Sequence, residues 1–157
     1  MSPEHDLGQD SNAFPRLLSA CISVADVKQC VQWYVGRLGF EVVRWREFTE
    51  YAACVAYLRC GDLVLELVET AGSVAVSRPG PPRHGSVRGI SQITFYVVNI
   101  GDARSWAKER GLTVVMETVT VSDLGVSSFF IEDIEGNLIE FSCADWLSLP
   151  SAKENSS

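Results

Sequence analysis

The stretch SACISVADVKQCVQWYVGRLGFEVV, residues 19–43, decides the fold because a second stretch repeats its order of signals. Alternating residues that favour a strand lead to Asp26, a helix-capping residue, and an apolar helical stripe then ends at Gly39. QITFYVVNIGDARSWAKERGLTVV, residues 92–115, aligns with it after one deletion, with an asparagine cap and a glycine stop at the matching places. Chance rarely reproduces cap, stripe and stop in one order, so we predict an internal duplication.

Each copy predicts a strand, a helix and three further strands, which together form a βαβββ module. The two copies predict an α+β domain over residues 15–147, with modules 15–70 and 90–147 and a linker 71–89 rich in Gly, Pro, Ser and Arg. We expect a cupped mixed sheet of about eight strands. The alternative is a generic α+β sandwich with accidental similarity. The predicted strands are 17–24, 40–45, 54–59 and 63–68, then 92–98, 112–117, 127–132 and 138–143.

The composition excludes several classes of partner. The 157 residues carry a formal net charge of −7, which repels nucleic acid and anionic lipid surfaces. We find no apolar run of the ~20 residues that a membrane span needs. The five cysteines are odd in number and include no CxxC pair, which favours free thiols in the cytoplasm. Small and polar termini, 1–14 and 148–157, are predicted to be disordered.

The first strand of each module carries polar residues on one face. Because side chains alternate along a strand, Ser19 and Cys21 share a face, and so do Gln92, Thr94 and Tyr96. The apolar face must pack under the helices. The polar face then lines a concave cup, so we predict that these five side chains contact a small-molecule ligand.

The last strand of each module carries one carboxylate on the face away from an apolar row, Glu66 in LVLELVE and Glu140 in LIEFSC. The duplication pairs Glu66 with Glu140, and Ser19 with Gln92, so the four side chains are expected to converge at the floor of the cup. A carboxylate in mid-strand is costly unless it is solvated, paired or bound to a cation. The alternative is that both glutamates face bulk water.

The chain resembles the vicinal oxygen chelate superfamily, which includes glyoxalase I, methylmalonyl-CoA epimerase, extradiol dioxygenases and bleomycin resistance proteins. The resemblance covers residues 17–143. It is carried by SVADVKQCVQWYVGRLGFEVV after the first strand, GDLVLELVE at the end of the first module, and FFIEDIEGNLIEFS at the end of the second. It implies the glyoxalase-like fold and a homodimer, with each cup built by one chain or by two.

The resemblance also implies a metal at Ser19, Glu66, Gln92 and Glu140. Both glutamates match the family pattern, but Gln92 stands where histidine is usual and Ser19 is a poor ligand for a divalent ion. A site without imidazoles disfavours an iron-dependent dioxygenase, and oxygen ligands suit Mg²⁺ or Mn²⁺ better than Zn²⁺ or Ni²⁺. We therefore expect no cofactor, or a weakly held divalent metal bound by Glu66, Gln92 and Glu140.

The favoured function is an enzyme acting on an enolisable or oxygenated small molecule. The shared chemistry of the family implies an isomerase, epimerase, cyclase or lyase, here of secondary metabolism. Glu140 is the expected general base and Glu66 its partner, while Gln92 and Ser19 hydrogen-bond the developing oxyanion.

The alternative function is a binding protein of the bleomycin resistance type, which sequesters an antibiotic without chemistry. Trp45 and Tyr51 are expected near the mouth of the first module, where their rings could stack on a planar ligand or pack at a rim or dimer interface. A role in binding a protein partner is the third option. His84 in the linker is expected to be a solvated loop residue, with a lid contact to ligand as its alternative.

Overall fold

The computed structural model describes residues 17–147 together with Leu149. The predicted disordered termini, 1–14 and 148–157, lie outside the described residues apart from Leu149. Within the described part, none of the helices has both the length and the apolar character needed to cross a membrane. The elements are β1 (Ser19–Val24), α1 (Val27–Trp33), β2 (Glu41–Phe48), β3 (Ala53–Cys60), β4 (Leu63–Thr70), β5 (Ile93–Tyr96), α2 (Ile100–Glu109), β6 (Thr113–Val121), β7 (Val126–Glu132) and β8 (Leu138–Ala144).

The strands form two four-stranded mixed sheets, in the orders β1-β4-β3-β2 and β5-β8-β7-β6. In each sheet the first and last strands of the module are parallel, and the other neighbours are antiparallel. A helix follows the first strand of each sheet, so both halves are βαβββ units and the predicted α+β fold of two such modules is confirmed. The eight strands are divided between two sheets, with β1 and β5 each at an edge. The module boundaries 15–70 and 90–147 stay a prediction.

Local signals set the helix ends as the sequence predicts. The side chain of Asp26 accepts the N–H of Gln29 at 2.9 Å, and Asn99 accepts the N–H of Asp102 at 3.0 Å. Each cap satisfies one of the N–H groups that lack a partner in the first turn. After α1 the chain makes a wider, π-helical turn, Tyr34–Leu38, and leaves it at Gly39 with φ 76°. Glycine adopts this left-handed conformation without a steric penalty.

One apolar core lies on the helix-bearing faces of both sheets. Leu58 and Leu67 in the first module and Phe129 and Ile139 in the second are each 0% exposed. Complete burial of such a side chain stabilises the fold by roughly 1.5–3 kcal/mol. The core continues between the modules, where the ring of Phe40 lies 6.2 Å from the ring of Phe95.

Polar contacts also join the two modules, between the residues at either end of α1 and the turn that precedes β8. The hydroxyl of fully buried Tyr34 donates to Oδ2 of Asp133 at 3.0 Å. The carboxylate of Glu135 accepts the backbone N–H groups of Ala25 and Asp26, at 2.8 and 3.0 Å from Oε1. Burial, followed by the charge of Asp133, raises the pKa of Tyr34, so this phenol stays a hydrogen-bond donor.

The linker folds against the second module, which corrects one expectation. Arg78 donates to the backbone oxygens of His84 at 3.1 Å and Ile90 at 3.0 Å, so it closes the segment into a loop. His84 is half-buried, its ring lies 5.0 Å from the ring of Phe130, and its Nδ1 is buried without a partner among the described residues. His84 is therefore not the solvated loop residue that the sequence suggested.

Candidate functional site

Glu140 is half-buried on β8, and its donors come from the neighbouring strand β5 and from the residue just before it. The hydroxyl of Thr94 donates to its Oε2 at 2.7 Å, and Nε2 of Gln92 approaches the same oxygen at 3.4 Å. The Ser91 hydroxyl donates to the amide oxygen of Gln92, which leaves the amide nitrogen facing Glu140. Both donors reach Oε2, so within the described chain Oε1 is left to accept a hydrogen bond or a proton from a ligand.

Glu66 occupies the equivalent place on β4 but has different partners. The hydroxyl of Tyr57 donates to its Oε1 at 2.9 Å. This hydrogen bond is the main cause of a raised pKa at Tyr57, so the phenol stays protonated. Cys21 stands beside Glu66 on β1, and burial, followed by the charge of Glu66, raises the pKa of its thiol. Cys21 is therefore a weak hydrogen-bond donor on the sheet surface and not a thiolate nucleophile.

The register reproduces the predicted correspondence of the two modules. Cys21 is the strand partner of Glu66, and Thr94 is the strand partner of Glu140. The structure thus brings Glu140 together with Thr94 and Gln92, and Glu66 together with Cys21 and Tyr57. Each carboxylate makes its hydrogen bonds within its own module, so the meeting of Glu66 and Glu140 in a single cup stays a prediction.

The remaining candidates lie around these two groups. Ser19 is exposed at the start of β1, opposite Val64. Tyr96 is 42% exposed at the end of β5, and its ring lies 6.2 Å from the ring of Trp146. Tyr51 is 72% exposed in the short turn after β2. Their predicted contacts to a ligand are untested by this geometry.

Trp45 lies on the opposite face of its sheet from Glu66. The register of β2 shifts between Val42 and Arg44, which is a β-bulge. Beyond the bulge Arg44 stands opposite Tyr57, and Trp45 stands opposite the fully buried Ala56 on the helix-bearing face. Trp45 still borders the hollow beside Glu66 at the outer edge of the sheet, and its predicted stacking on a ligand stays a prediction.

A hollow of about 350 Å³ borders Glu66 and Tyr57 on the polar face of the first module. Its other walls include Arg44, Arg46 and Val55, so it combines aromatic, cationic and apolar surface. Sequence reasoning missed Tyr57, although a signal was present. The two residues between Cys60 and Leu63 form a tight hairpin turn, and this turn fixes the register that sets Tyr57 opposite Glu66.

A family model of the glyoxalase, bleomycin resistance protein and dioxygenase superfamily matches residues 16–141. The chain belongs to this superfamily. Solved structures of the same fold include a glyoxalase family protein from Enterococcus faecalis, 22% identical, with a TM-score of 0.65 over 83% of this chain and 98% of that one. A superfamily domain from Frankia sp. EAN1pec is 14% identical, with a TM-score of 0.66 over 87% and 96%. The trypanothione-dependent glyoxalase I of Leishmania major is 22% identical, with a TM-score of 0.58 over 82% and 86%. These identities establish a common fold.

A ribosomal protein also matches part of this chain in sequence. Small ribosomal subunit protein uS11 of Buchnera aphidicola subsp. Baizongia pistaciae is 36% identical over 81 residues. The match spans 52% of this chain and 63% of that protein. A net charge of −7 opposes binding to the phosphates of ribosomal RNA, so the match supports no ribosomal role.

The donor set of this superfamily member fits a transition metal poorly. Among the described residues, no three His, Cys, Asp or Glu side chains come together in a group able to hold a metal ion. Gln92 directs its amide nitrogen, which cannot bind a cation, toward Glu140, and its amide oxygen accepts from Ser91. Ser19 adds only a neutral hydroxyl. We therefore derive no chemical step through a metal.

Proposed function

We propose that the chain is a small-molecule enzyme that moves a proton on an enolisable or oxygenated substrate. The observation that carries the proposal is the placement of Glu140, a half-buried carboxylate with one oxygen fixed by Thr94 and Gln92 and the other left for a ligand. A base fixed in this way is oriented before the substrate binds. The reaction class is an isomerase, epimerase, cyclase or lyase, within secondary metabolism.

In the proposed step, Oε1 of Glu140 takes a proton from the carbon next to a carbonyl group. The C–H electron pair moves into the forming enolate, and the negative charge develops on the carbonyl oxygen. Ser19 donates a hydrogen bond to that oxygen, and so does Gln92 through the second N–H of its amide, while its first N–H stays on Glu140. Glu66 is the second carboxylate, and the Tyr57 hydroxyl supplies it with a hydrogen bond. Return of this proton from Glu140 to a different atom or face of the substrate completes the reaction and restores the carboxylate.

The proposed chemistry uses the carboxylates of the chain without a metal. The donor chemistry of Ser19 and Gln92 supports this, because neither is an anionic or imidazole ligand. Native mass spectrometry with and without a chelator tests it: both samples are expected to give the mass of the proposed dimer without any metal added. A stoichiometric divalent ion that the chelator removes together with activity would contradict this part of the proposal.

We also propose that the chain works as a homodimer in the cytoplasm. Apolar side chains exposed along the first sheet support a partner surface, among them Val42 at 47% and Leu63 at 43%. The five cysteines are free, as expected in a reducing compartment. Light scattering after gel filtration is expected to give twice the 17.2 kDa mass of the chain, whereas a monomer across the micromolar range would contradict it.

A second candidate function is sequestration of an antibiotic without chemistry. The hollow beside Glu66 favours it, because Trp45 and Tyr57 border that hollow with aromatic surface suited to a planar ligand. An enzyme and a sequestering protein differ in what happens to the ligand. The enzyme changes it at every turnover, whereas the sequestering protein releases it unaltered.

The experiment is deuterium incorporation from heavy water into bound small molecules. Carbonyl compounds that shift the melting temperature of the protein are incubated with it in deuterium oxide and analysed by mass spectrometry. The enzyme proposal predicts a gain of one deuterium next to the carbonyl group, or a rearranged product. Ligands that bind tightly and return without exchange or change would favour sequestration.

A further inference from the structure

We propose that the first module binds the anionic group of a small amphipathic organic acid between Arg44 and Arg59. The inference deepens the proposed function, since it names a substrate class for the polar face that carries Glu66. It rests on the proposed function only for the statement that this acid is the substrate. Binding of the acid rests on the two arginines and the hollow between them.

Arg44 and Arg59 are neighbours on one face of the sheet. Arg44 is the strand partner of Tyr57, and Arg59 follows Tyr57 by two residues on β3, so both side chains share the face of Tyr57. A hollow of about 480 Å³ lies between them, a volume within the range of small-molecule sites. Both arginines line it together with Leu17, Val43, Tyr57 and Val64.

The two guanidinium groups are held in place but are not neutralised. Nη1 of Arg44 donates to the backbone oxygen of Val43 at 2.9 Å, and Nε of Arg59 donates to that of Gly61 at 2.7 Å. Each guanidinium has five N–H donors, so most of them are left for a ligand. Within the described chain the one ion pair is formed by two other residues, Arg104 and Glu117.

Acidic residues are near, but they do not cancel this charge. Asp62 lines the same hollow and Glu41 is the strand partner of Arg59, yet neither comes within ion-pair distance of an arginine in the described structure. Arg46 lies on the same face, two residues beyond Arg44 on β2, and its guanidinium is 4.7 Å from the centre of the Phe48 ring. The charged residues that line the hollow itself are two arginines and one carboxylate, and this local positive charge in a chain of net charge −7 favours an anionic ligand.

The apolar walls define the rest of the ligand. Leu17, Val43 and Val64 offer hydrocarbon surface beside the arginines, so an inorganic anion alone would leave that surface bare. Arg44, Tyr57 and Glu66 form one row across three neighbouring strands. Neighbouring strands lie about 4.8 Å apart, so Arg44 and Glu66 are separated by about 10 Å across the sheet. A ligand whose anionic group contacts Arg44 must therefore extend about 10 Å to reach Glu66. The geometry therefore favours an organic acid with an apolar body of several carbons.

The test compares two fluorescent probes of similar shape, anilinonaphthalene sulfonate, which is anionic, and phenylnaphthylamine, which is neutral. The wild-type protein is compared with R44Q/R59Q and with K28Q/K108Q, which removes two positive charges from exposed positions on the helices. We expect R44Q/R59Q to bind the anionic probe at least about tenfold more weakly and the neutral probe within about twofold of wild type. K28Q/K108Q and E140Q should bind both probes like the wild type.

Several results would overturn the inference: no binding of the anionic probe by the wild type, equal affinity in R44Q/R59Q, or equal losses for the two probes. A second copy of the chain that covers the hollow would also overturn the inference. It would be detected as an affinity for the anionic probe that rises when dilution separates the dimer. If the double variant does not fold, the same two probes are compared in the single variants R44Q and R59Q. E140Q separates the two proposals, because its effect on turnover is independent of probe binding.

Discussion

Thr94 and Glu140 are joined by a 2.7 Å hydrogen bond between neighbouring parallel strands. In the first module the corresponding carboxylate is Glu66 on β4. It accepts its hydrogen bond from the Tyr57 hydroxyl on β3, the antiparallel neighbour on the other side of β4. The two modules therefore place a carboxylate at equivalent positions and support it from opposite sides. We propose that this asymmetry gives the two carboxylates separate tasks, with Glu140 as the base.

Replacement of Thr94 by valine removes the hydroxyl and keeps nearly the same shape. We expect kcat to fall about tenfold with little change in KM, because Glu140 loses the bond that orients its carboxylate. Steady-state kinetics on the substrate found by deuterium exchange measure this. Thr94→Ser retains the hydroxyl and should keep most of the activity. Equal losses in the serine and valine variants would assign the effect to packing.

The thiol of Cys21 reports on the charge of Glu66. Burial and that charge both raise its pKa, so Glu66→Gln should lower the pH at which Cys21 is half-alkylated by iodoacetamide. Because burial is the larger cause, the midpoint should stay above that of a free cysteine thiol. Peptide mapping by mass spectrometry follows Cys21 separately from the other four thiols.

Glu50→Gln is the control for this measurement, since Glu50 is exposed in the turn after β2. It should leave the alkylation profile of Cys21 unchanged. A profile in Glu66→Gln that coincides with the wild type would contradict the placement of Cys21 beside Glu66.

The Tyr34 hydroxyl is the buried polar contact between the modules. Tyr34→Phe removes its bond to Asp133 and should lower the free energy of unfolding by about 1–3 kcal/mol, because a buried acceptor loses a donor. Urea unfolding followed by circular dichroism measures the change. Tyr51→Phe, at a residue 72% exposed, should shift the same quantity by less than about 0.5 kcal/mol. Equal effects of the two changes would show that the contact does not stabilise the pair of modules.

The parts of the fold that depend on local signals could be predicted from the sequence. The caps Asp26 and Asn99 and the stop Gly39 act within one helical turn, and the structure has them as predicted. Alternation along β4 and β8 likewise set Glu66 and Glu140 at equivalent positions of the two sheets. These features require no knowledge of distant contacts.

The parts that depend on register shifts and long contacts could not be predicted. Strict alternation along β2 would put Trp45 on the polar face, but the bulge after Val42 reverses the faces and brings Arg44 there instead. The burial of His84 requires Arg78 to close the linker and Phe130 of the second module to receive the ring. Composition alone made that segment look like a solvated loop.

The proposed proton transfer depends on the carboxylate of Glu140, and Glu140→Gln removes that base alone. Glutamine keeps the size and hydrogen-bonding capacity of the side chain but cannot act as a base at neutral pH. We expect deuterium incorporation to fall by about 10²-fold or more while the dissociation constant for the ligand changes by less than about threefold. Incorporation at the wild-type rate in Glu140→Gln would contradict it.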